Sequence, residues 1–131
     1  MDDFLNATPA LQALRTKVAR FAVKGSLPGL DGRRIHVREA HAALNTLLQG
    51  AGAIVMKEAL VIFNQAITER NLDAKFVLNV HDEWQLECSE QDAEAVGKLG
   101  VESIAAAGVS LDMRCPLTGE YRVGNNWAET H

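Results

Sequence analysis

Cysteine is scarce in this chain: 131 residues hold only Cys88 and Cys115. The two lack metal-ligand spacing and fall on separate predicted strands, so both are expected as reduced core residues rather than as a bridge or a zinc site. Long apolar runs are missing as well. Polar residues break every stretch well short of the ~20 residues that span a bilayer, and the start, Met1-Asp2-Asp3-Phe4, has no basic signal-peptide lead. A cytoplasmic protein without a membrane partner is expected. Excess positive charge is lacking too, since the net charge is -4, which argues against a surface that is a nucleic-acid platform throughout. No repeat, low-complexity segment or linker divides the chain, and its length suits a single domain, 1–131.

What charge there is lies unevenly. Up to Ala40 there are seven Lys/Arg against four acids, a balance of +3, and the remainder carries -7. A basic first third allows phosphate contacts at one end of the molecule, although solvated helix and hairpin faces would give the same count.

The order of elements is mixed. Thr8 as N-cap and Pro9 at the first helical position open a helix through Leu11, Leu14, Val18 and Phe21, an amino-terminal element (1–24) that need only be loosely attached. Asp31-Gly32 is a turn signal ahead of the alternating Arg33-Arg34-Ile35-His36-Val37-Arg38. Pro28, which cannot serve a central strand, makes an edge hairpin. From about Glu39 to Arg70 a stripe of Leu44, Leu47, Leu48, Ala51, Ile54, Val55, Ala59, Ile62 and Ala66 predicts one long helix. On it His41, Asn45 and Gln49 are successive i, i+4 neighbours, a polar line able to track a groove, and Gly50 and Gly52 leave room for a close backbone. Ser89 and Asp92 resemble a capping box for a helix ending near Gly108. Val109, Leu111, Met113 and Cys115 then alternate as a last strand, Pro116-Leu117-Thr118-Gly119 reads as a turn, and Trp127 is expected to pack back on the body. The fold class is α/β (α+β), a small, mainly antiparallel sheet with a central β-hairpin against long helices.

That central hairpin carries the chemistry. Phe76, Leu78 and Val80 alternate with Val77, Asn79 and His81, and beyond the break Trp84, Leu86 and Cys88 alternate with Glu83, Gln85 and Glu87. Two-residue hairpin turns usually use Asn-Gly or Asp-Gly because they need positive φ; here the turn is His81-Asp82. An imidazole and a carboxylate in place of glycine, with Glu83 next door, suggest a site, and a solvated acidic turn is the plain alternative.

Three strings point the same way. Gly29 to Arg38 followed by His41-Ala42-Ala43-Leu44-Asn45-Thr46-Leu47-Leu48-Gln49-Gly50, then Val80-His81-Asp82-Glu83, then Val123-Gly124-Asn125-Asn126-Trp127 through His131, resemble in order the palm of family A DNA polymerases. Bacteriophage replicative members are the nearest in kind. The resemblance covers roughly 23–131. It implies that Asp82 is a catalytic ligand for Mg²⁺, with Glu83 supporting the same metal site and His81 beside the primer end. It also implies that Asn45, Gln49 and the adjacent His41 contact DNA near that end. The implied partners are primer-template DNA and a deoxynucleoside triphosphate.

The family also brings a second metal-binding Asp on an earlier strand and an Arg/Lys/Tyr-bearing fingers helix. Neither is found here; Arg15-Thr16-Lys17-Val18-Ala19-Arg20-Phe21 is basic and helical but lacks the fingers spacing. The chain thus resembles a carboxy-terminal palm portion: an excised piece, a truncated product, or a subunit of a polymerase encoded in two parts. It is expected to be inactive alone and to pair with a complementary polymerase chain, or with a second copy of itself, through exposed apolar surface. Two other classes fit the same residues. One is a non-catalytic protein- or DNA-binding module derived from a palm, and the other a metal-dependent phosphohydrolase drawing ligands from His81, Asp82, Glu83, His36 and His41.

Overall fold

The computed structural model describes residues 7–130, which form two compact units meeting in sequence between Gly52 and Ala53. The α+β class holds, with the antiparallel strands in two separate two-stranded sheets. The first six residues and His131, the end of the third resembling string, lie outside the described residues.

The first unit begins with α1 (Pro9–Ala22). Pro9 takes the first helical position as the sequence predicts, but the Thr8 side chain makes no capping hydrogen bond. Val18 and Ala22 are buried and pack with Leu27, Val37 and Ala43. Leu27 lies on β1 (Ser26–Pro28), which pairs antiparallel with β2 (Arg34–His36). The backbone N–H of Gly29 bonds the carbonyl of Arg33, so the loop proper is Leu30-Asp31-Gly32, and Gly32 sits at φ 83°. A three-residue loop closed by a left-handed glycine is a common hairpin solution, because a Cβ there would crowd its own backbone.

The long helix arrives in two parts. A 3₁₀ turn, Ala40–Ala42, precedes α2 (Ala43–Glu69), so His41 lies ahead of the α-helix that carries Asn45 and Gln49. Leu48, expected in the apolar stripe, is 55% exposed, while Ile54, Val55, Ala59, Phe63 and Ile67 are buried. The stripe is therefore rotated toward the i+4 series Val55, Ala59, Phe63, Ile67. A Cβ at Gly50 would meet the Ile35 side chain at 2.8 Å, so this glycine admits a side chain rather than a backbone, and nothing lies within 4 Å of such an atom at Gly52. Contrary to the expectation from broken apolar runs, Ala40–Glu69 is long and apolar enough to cross a membrane by length and composition. Core helices pass the same test, and Lys57 and Glu58 near its midpoint would each cost roughly 2.5–3.5 kcal/mol in hydrocarbon.

The second unit is built on the rest of α2, on β3 (Ala74–Val80) and β4 (Glu83–Cys88), and on α3 (Ala93–Ser110). α2 stops in a Schellman motif. Asn71, at φ 52°, donates its N–H to Thr68, and Leu72 donates to Ile67, which satisfies the last carbonyls while Leu72 packs on the core. Ser89 and Asp92 do not form the expected box. The Ser89 hydroxyl donates to the Asp92 carboxylate at 3.0 Å, and that carboxylate also accepts the Asp73 N–H at 2.9 Å, tying the start of α3 to the residue before β3.

No last strand follows. α3 runs to Ser110 and ends in a second Schellman motif, with Asp112 at φ 52°, its N–H on Val109 and the Met113 N–H on Gly108. Residues 116–119, expected as a turn, are irregular instead. This strap returns along α3, with Leu117 against Gly108, Gly119 against Ile104 and Tyr121 over Gly97. Cys115 is exposed rather than buried, and Trp127, opening the short helix α4 (Trp127–Thr130), is 52% exposed.

Candidate active site

The β3–β4 hairpin stands on an aromatic bed. Phe63 from α2, Phe76 from β3 and Trp84 from β4 have ring centroids 5.3 Å (Phe63–Phe76), 5.6 Å (Phe63–Trp84) and 6.5 Å (Phe76–Trp84) apart. Two of the three pairs are edge-to-face, at interplanar angles of 87° and 88°, the arrangement aromatic quadrupoles favour. Phe63 is 2% exposed and packs with Ile67, Val96 and Leu99 beneath.

Register then decides what reaches the tip. Phe76 pairs with Leu86, but Leu78 pairs with Gln85, so Val77 is an extra residue on β3, a bulge. Cross-strand partners share a face. Below the bulge Phe76 faces the core; above it Asn79, opposite Trp84, shares that face but is exposed, while Leu78 and Val80 lie on the other face with Gln85 and Glu83. The single apolar face expected from Phe76, Leu78 and Val80 does not exist, because the bulge reverses the alternation. Leu78 and Val80 are accordingly 44% and 43% exposed.

Val80 pairs with Glu83, leaving His81 and Asp82 as a two-residue turn. Only His81 takes positive φ, at 54°, which is the II′ pattern rather than I′. A left-handed residue bearing a Cβ costs ~1–2 kcal/mol, and the chain spends it on an imidazole. The outcome is a tip where His81, Asp82 and Glu83 are exposed side by side. The Gln85 amide donates to Glu83 Oε1 and steadies that carboxylate.

Behind the tip lies a groove of about 450 Å³, bordered by Asp82, Trp84, Leu86, Gly100 and Tyr121. Tyr121 donates its hydroxyl to Glu94 at 2.8 Å, and this bond to a carboxylate raises the Tyr121 pKa. A Cβ at Gly97 would sit 2.2 Å from the Tyr121 ring, so the strap seats only because that position is bare. The Trp84 indole N–H is buried without a partner among the described residues. Burial raises the pKa of the Cys88 thiol, with smaller contributions from Asp92 and Asp73.

His41, Asn45 and Gln49 are exposed in the first unit, with His41 Nε2 3.1 Å from Glu39 Oε2. The 3₁₀ turn interrupts the three-residue line, so only Asn45 and Gln49 remain one α-helical turn apart. Sequence reasoning missed Phe63, Gly97 and Tyr121. For Phe63 the signal was present as its i+4 spacing from Ala59; Gly97 and Tyr121 meet only through the path of the strap.

Asp82 and Glu83 are hard carboxylates with solvent on them, and no group of three or more His, Cys, Asp or Glu able to hold an ion occurs among the described residues. That does not make a closed zinc site. It fits a Mg²⁺ that takes one or two carboxylates and fills its octahedron from water and substrate phosphates.

The chain is 35% identical to a DNA-directed DNA polymerase of Enterobacteria phage T3 over 98% of its own length and 21% of that protein's. It is 36% identical to the DNA-directed DNA polymerase of Escherichia phage T7, with the same 98% and 21% coverage, and 35% identical to DNA polymerase I of Pseudomonas aeruginosa over 86% of this chain and 13% of the relative. Among solved structures, the POL domain of Pol1 from M. smegmatis, in complex with DNA primer-template and dNTP, superposes with a TM-score of 0.73 at 28% identity, covering 82% of this chain and 21% of that one. The chain spans about a fifth of the length of the phage relatives it matches. The sequence profile of DNA polymerase family A matches residues 6–129, and the chain belongs to that family.

Proposed function

We propose that this chain is part of a DNA-directed DNA polymerase, contributing one carboxylate cluster to template-directed transfer of a nucleotide onto a primer 3′-hydroxyl. The observation that carries the proposal is the hairpin tip: exposed, adjacent carboxylates held on a buried aromatic bed, in a chain matched to the family over nearly all its length. Two Mg²⁺ ions, when bound, supply activation of the attacking hydroxyl and neutralisation of the leaving pyrophosphate. Asp82 would hold the metal, and Glu83, oriented by the Gln85 amide, would support the same site. His81 sits against the primer end. Asn45 and Gln49, with His41 beside them, offer hydrogen bonds to minor-groove acceptors, whose positions are similar for all correct base pairs, and so check pairing geometry rather than sequence.

Primer-template DNA and a deoxynucleoside triphosphate are the substrates, and the setting is the cytoplasm, that of the host if the chain is phage-encoded. The remainder of a polymerase, as a separate chain or as further sequence, completes the site; a second copy of this chain is the other candidate partner. Exposed apolar residues such as Leu48, Val61 and Val77 support association, because apolar surface of this kind is covered in assembled proteins.

Primer extension tests the reading, with this chain alone and with a polypeptide carrying the rest of a family A polymerase. No extension is expected alone. With the complement, extension should appear and fall in Asp82→Ala by more than the ~10–100-fold that loss of a group supporting a metal ligand costs. Extension by the chain alone would refute its dependence on a partner, and full activity in Asp82→Ala would refute the metal-ligand role.

A further inference from the structure

The first unit carries a row of cations that the polymerase site does not use. Along β2 the inward residues Ile35 and Val37 pack into the core, and the Val37 N–H continues the ladder by donating to the Gly25 carbonyl at 3.0 Å. Arg34 and His36 therefore share the outward face of β2, ~6.5–7 Å apart by strand geometry, and Arg38 follows at a bend just past the strand end; all three are exposed.

Neighbouring acids are already engaged. Asp31 forms an ion pair with Arg33 at 2.6 Å, and Glu39 lies against His41. Among the described residues no carboxylate lies within ion-pair distance of Arg34 or Arg38. Arg34 is oriented, not idle: its Nη2 donates to the Ser26 hydroxyl across the hairpin at 3.2 Å. Two guanidinium groups without an ion-pair partner among the described residues, one on the strand and one just past its end, with the local acids engaged elsewhere, complement an anion that repeats along a backbone. In a chain of net charge -4 this is a local feature, not a general basic coat.

We propose that the outer face of the β1–β2 hairpin is a ledge for the phosphodiester backbone of DNA, with Arg34 and Arg38 each engaging a phosphate. Such contacts position a duplex without reading its sequence, and guanidinium forks suit phosphate oxygens. The proposal rests on DNA being the partner, as argued above, and adds a surface apart from the carboxylate tip in sequence and in unit.

The test is fluorescence anisotropy of the full chain with a labelled primer-template duplex in EDTA, over a series of salt concentrations beginning at low ionic strength. Weak, salt-sensitive binding is expected, and the double variant Arg34→Ala/Arg38→Ala should flatten the slope of log K against log salt by about 2, since each phosphate contact contributes ~0.9. The charge-keeping pair Arg34→Lys/Arg38→Lys should retain the slope, which separates lost charge from lost folding. An unchanged slope in the alanine pair, or no binding even at low ionic strength, would overturn the ledge. Primer extension with the complementing polypeptide, and its loss in Asp82→Ala, bears on the catalytic reading alone, whereas the salt slope in EDTA bears on the ledge alone, so the two failures are told apart.

Discussion

At the end of β1–β2 the chain turns through Leu30-Asp31-Gly32 with glycine in the left-handed region, and at the end of β3–β4 it turns through His81-Asp82 with histidine there. The first hairpin rests on aliphatic side chains, Leu27 and Val37, and shows arginines. The second rests on Phe63, Phe76 and Trp84 and shows carboxylates. In the first turn the acid is spent locally, bonding the Arg33 backbone N–H and its guanidinium; in the second the acid stands exposed. Where a turn only has to reverse the chain, the least strained residue serves. His81, like Asn71 and Asp112 at the helix ends, holds the left-handed region with a polar side chain, but at the tip of a hairpin rather than in a cap.

The largest expected effects are on the two supports. Phe63→Ala should cost ~3–5 kcal/mol and Leu27→Ala ~2–5 kcal/mol, each leaving a cavity under a different hairpin. Hydrogen exchange should rise in β3–β4 for Phe63→Ala and in β1–β2 for Leu27→Ala. Equal loss of protection in both hairpins from either variant would break the distinction between two separately supported units.

Smaller effects are expected at the turns. Gly32→Ala should lower stability by ~1–2 kcal/mol, because its φ of 83° forces a Cβ into the left-handed region. His81→Gly should stay within ~1 kcal/mol of the parent, since relief of that strain is offset by the greater unfolded entropy of glycine, yet it should slow primer extension by the completed polymerase. Urea unfolding beside activity measures both. A loss of stability in His81→Gly as large as in Gly32→Ala would show that the imidazole holds the turn rather than serving the site.

The smallest effect is electrostatic. Hydrogen bonding from Arg33 lowers the Asp31 pKa, so this pair contributes stability above the ordinary carboxylate pKa and loses it as pH falls through the depressed folded value. A carboxyl NMR titration should show the Asp31 midpoint rising in Arg33→Ala, with little change in overall stability because the pair is solvent-screened. An unmoved midpoint would mean that Arg33 does not hold the Asp31 carboxyl down.

Much of this was legible in the sequence. Pro9, the Asp31-Gly32 turn, the long apolar stripe and the His81-Asp82 break are local signals, and each marks a real element. Asp82 and Glu83 stood out because a carboxylate pair at a glycine-free turn has no packing reason to be there. Three features resisted reading. The Val77 bulge is a property of pairing, not of either strand alone. Val109, Leu111, Met113 and Cys115 alternate like a strand, yet Asp112 accepts a left-handed conformation and caps a helix that runs past Gly108. The strap along α3 depends on Gly97 meeting Tyr121, two positions that no local window joins.

The extra residue at Val77 has a consequence for how this surface can change over time. Below it, side chains must fit an interior; above it, the outward row is released from that requirement. Substitutions near the tip can therefore be sampled for chemistry without re-solving the packing beneath, and the aromatic bed can be retuned without moving the carboxylates off their face. One inserted amino acid makes the working end and the foundation of the hairpin separately adjustable.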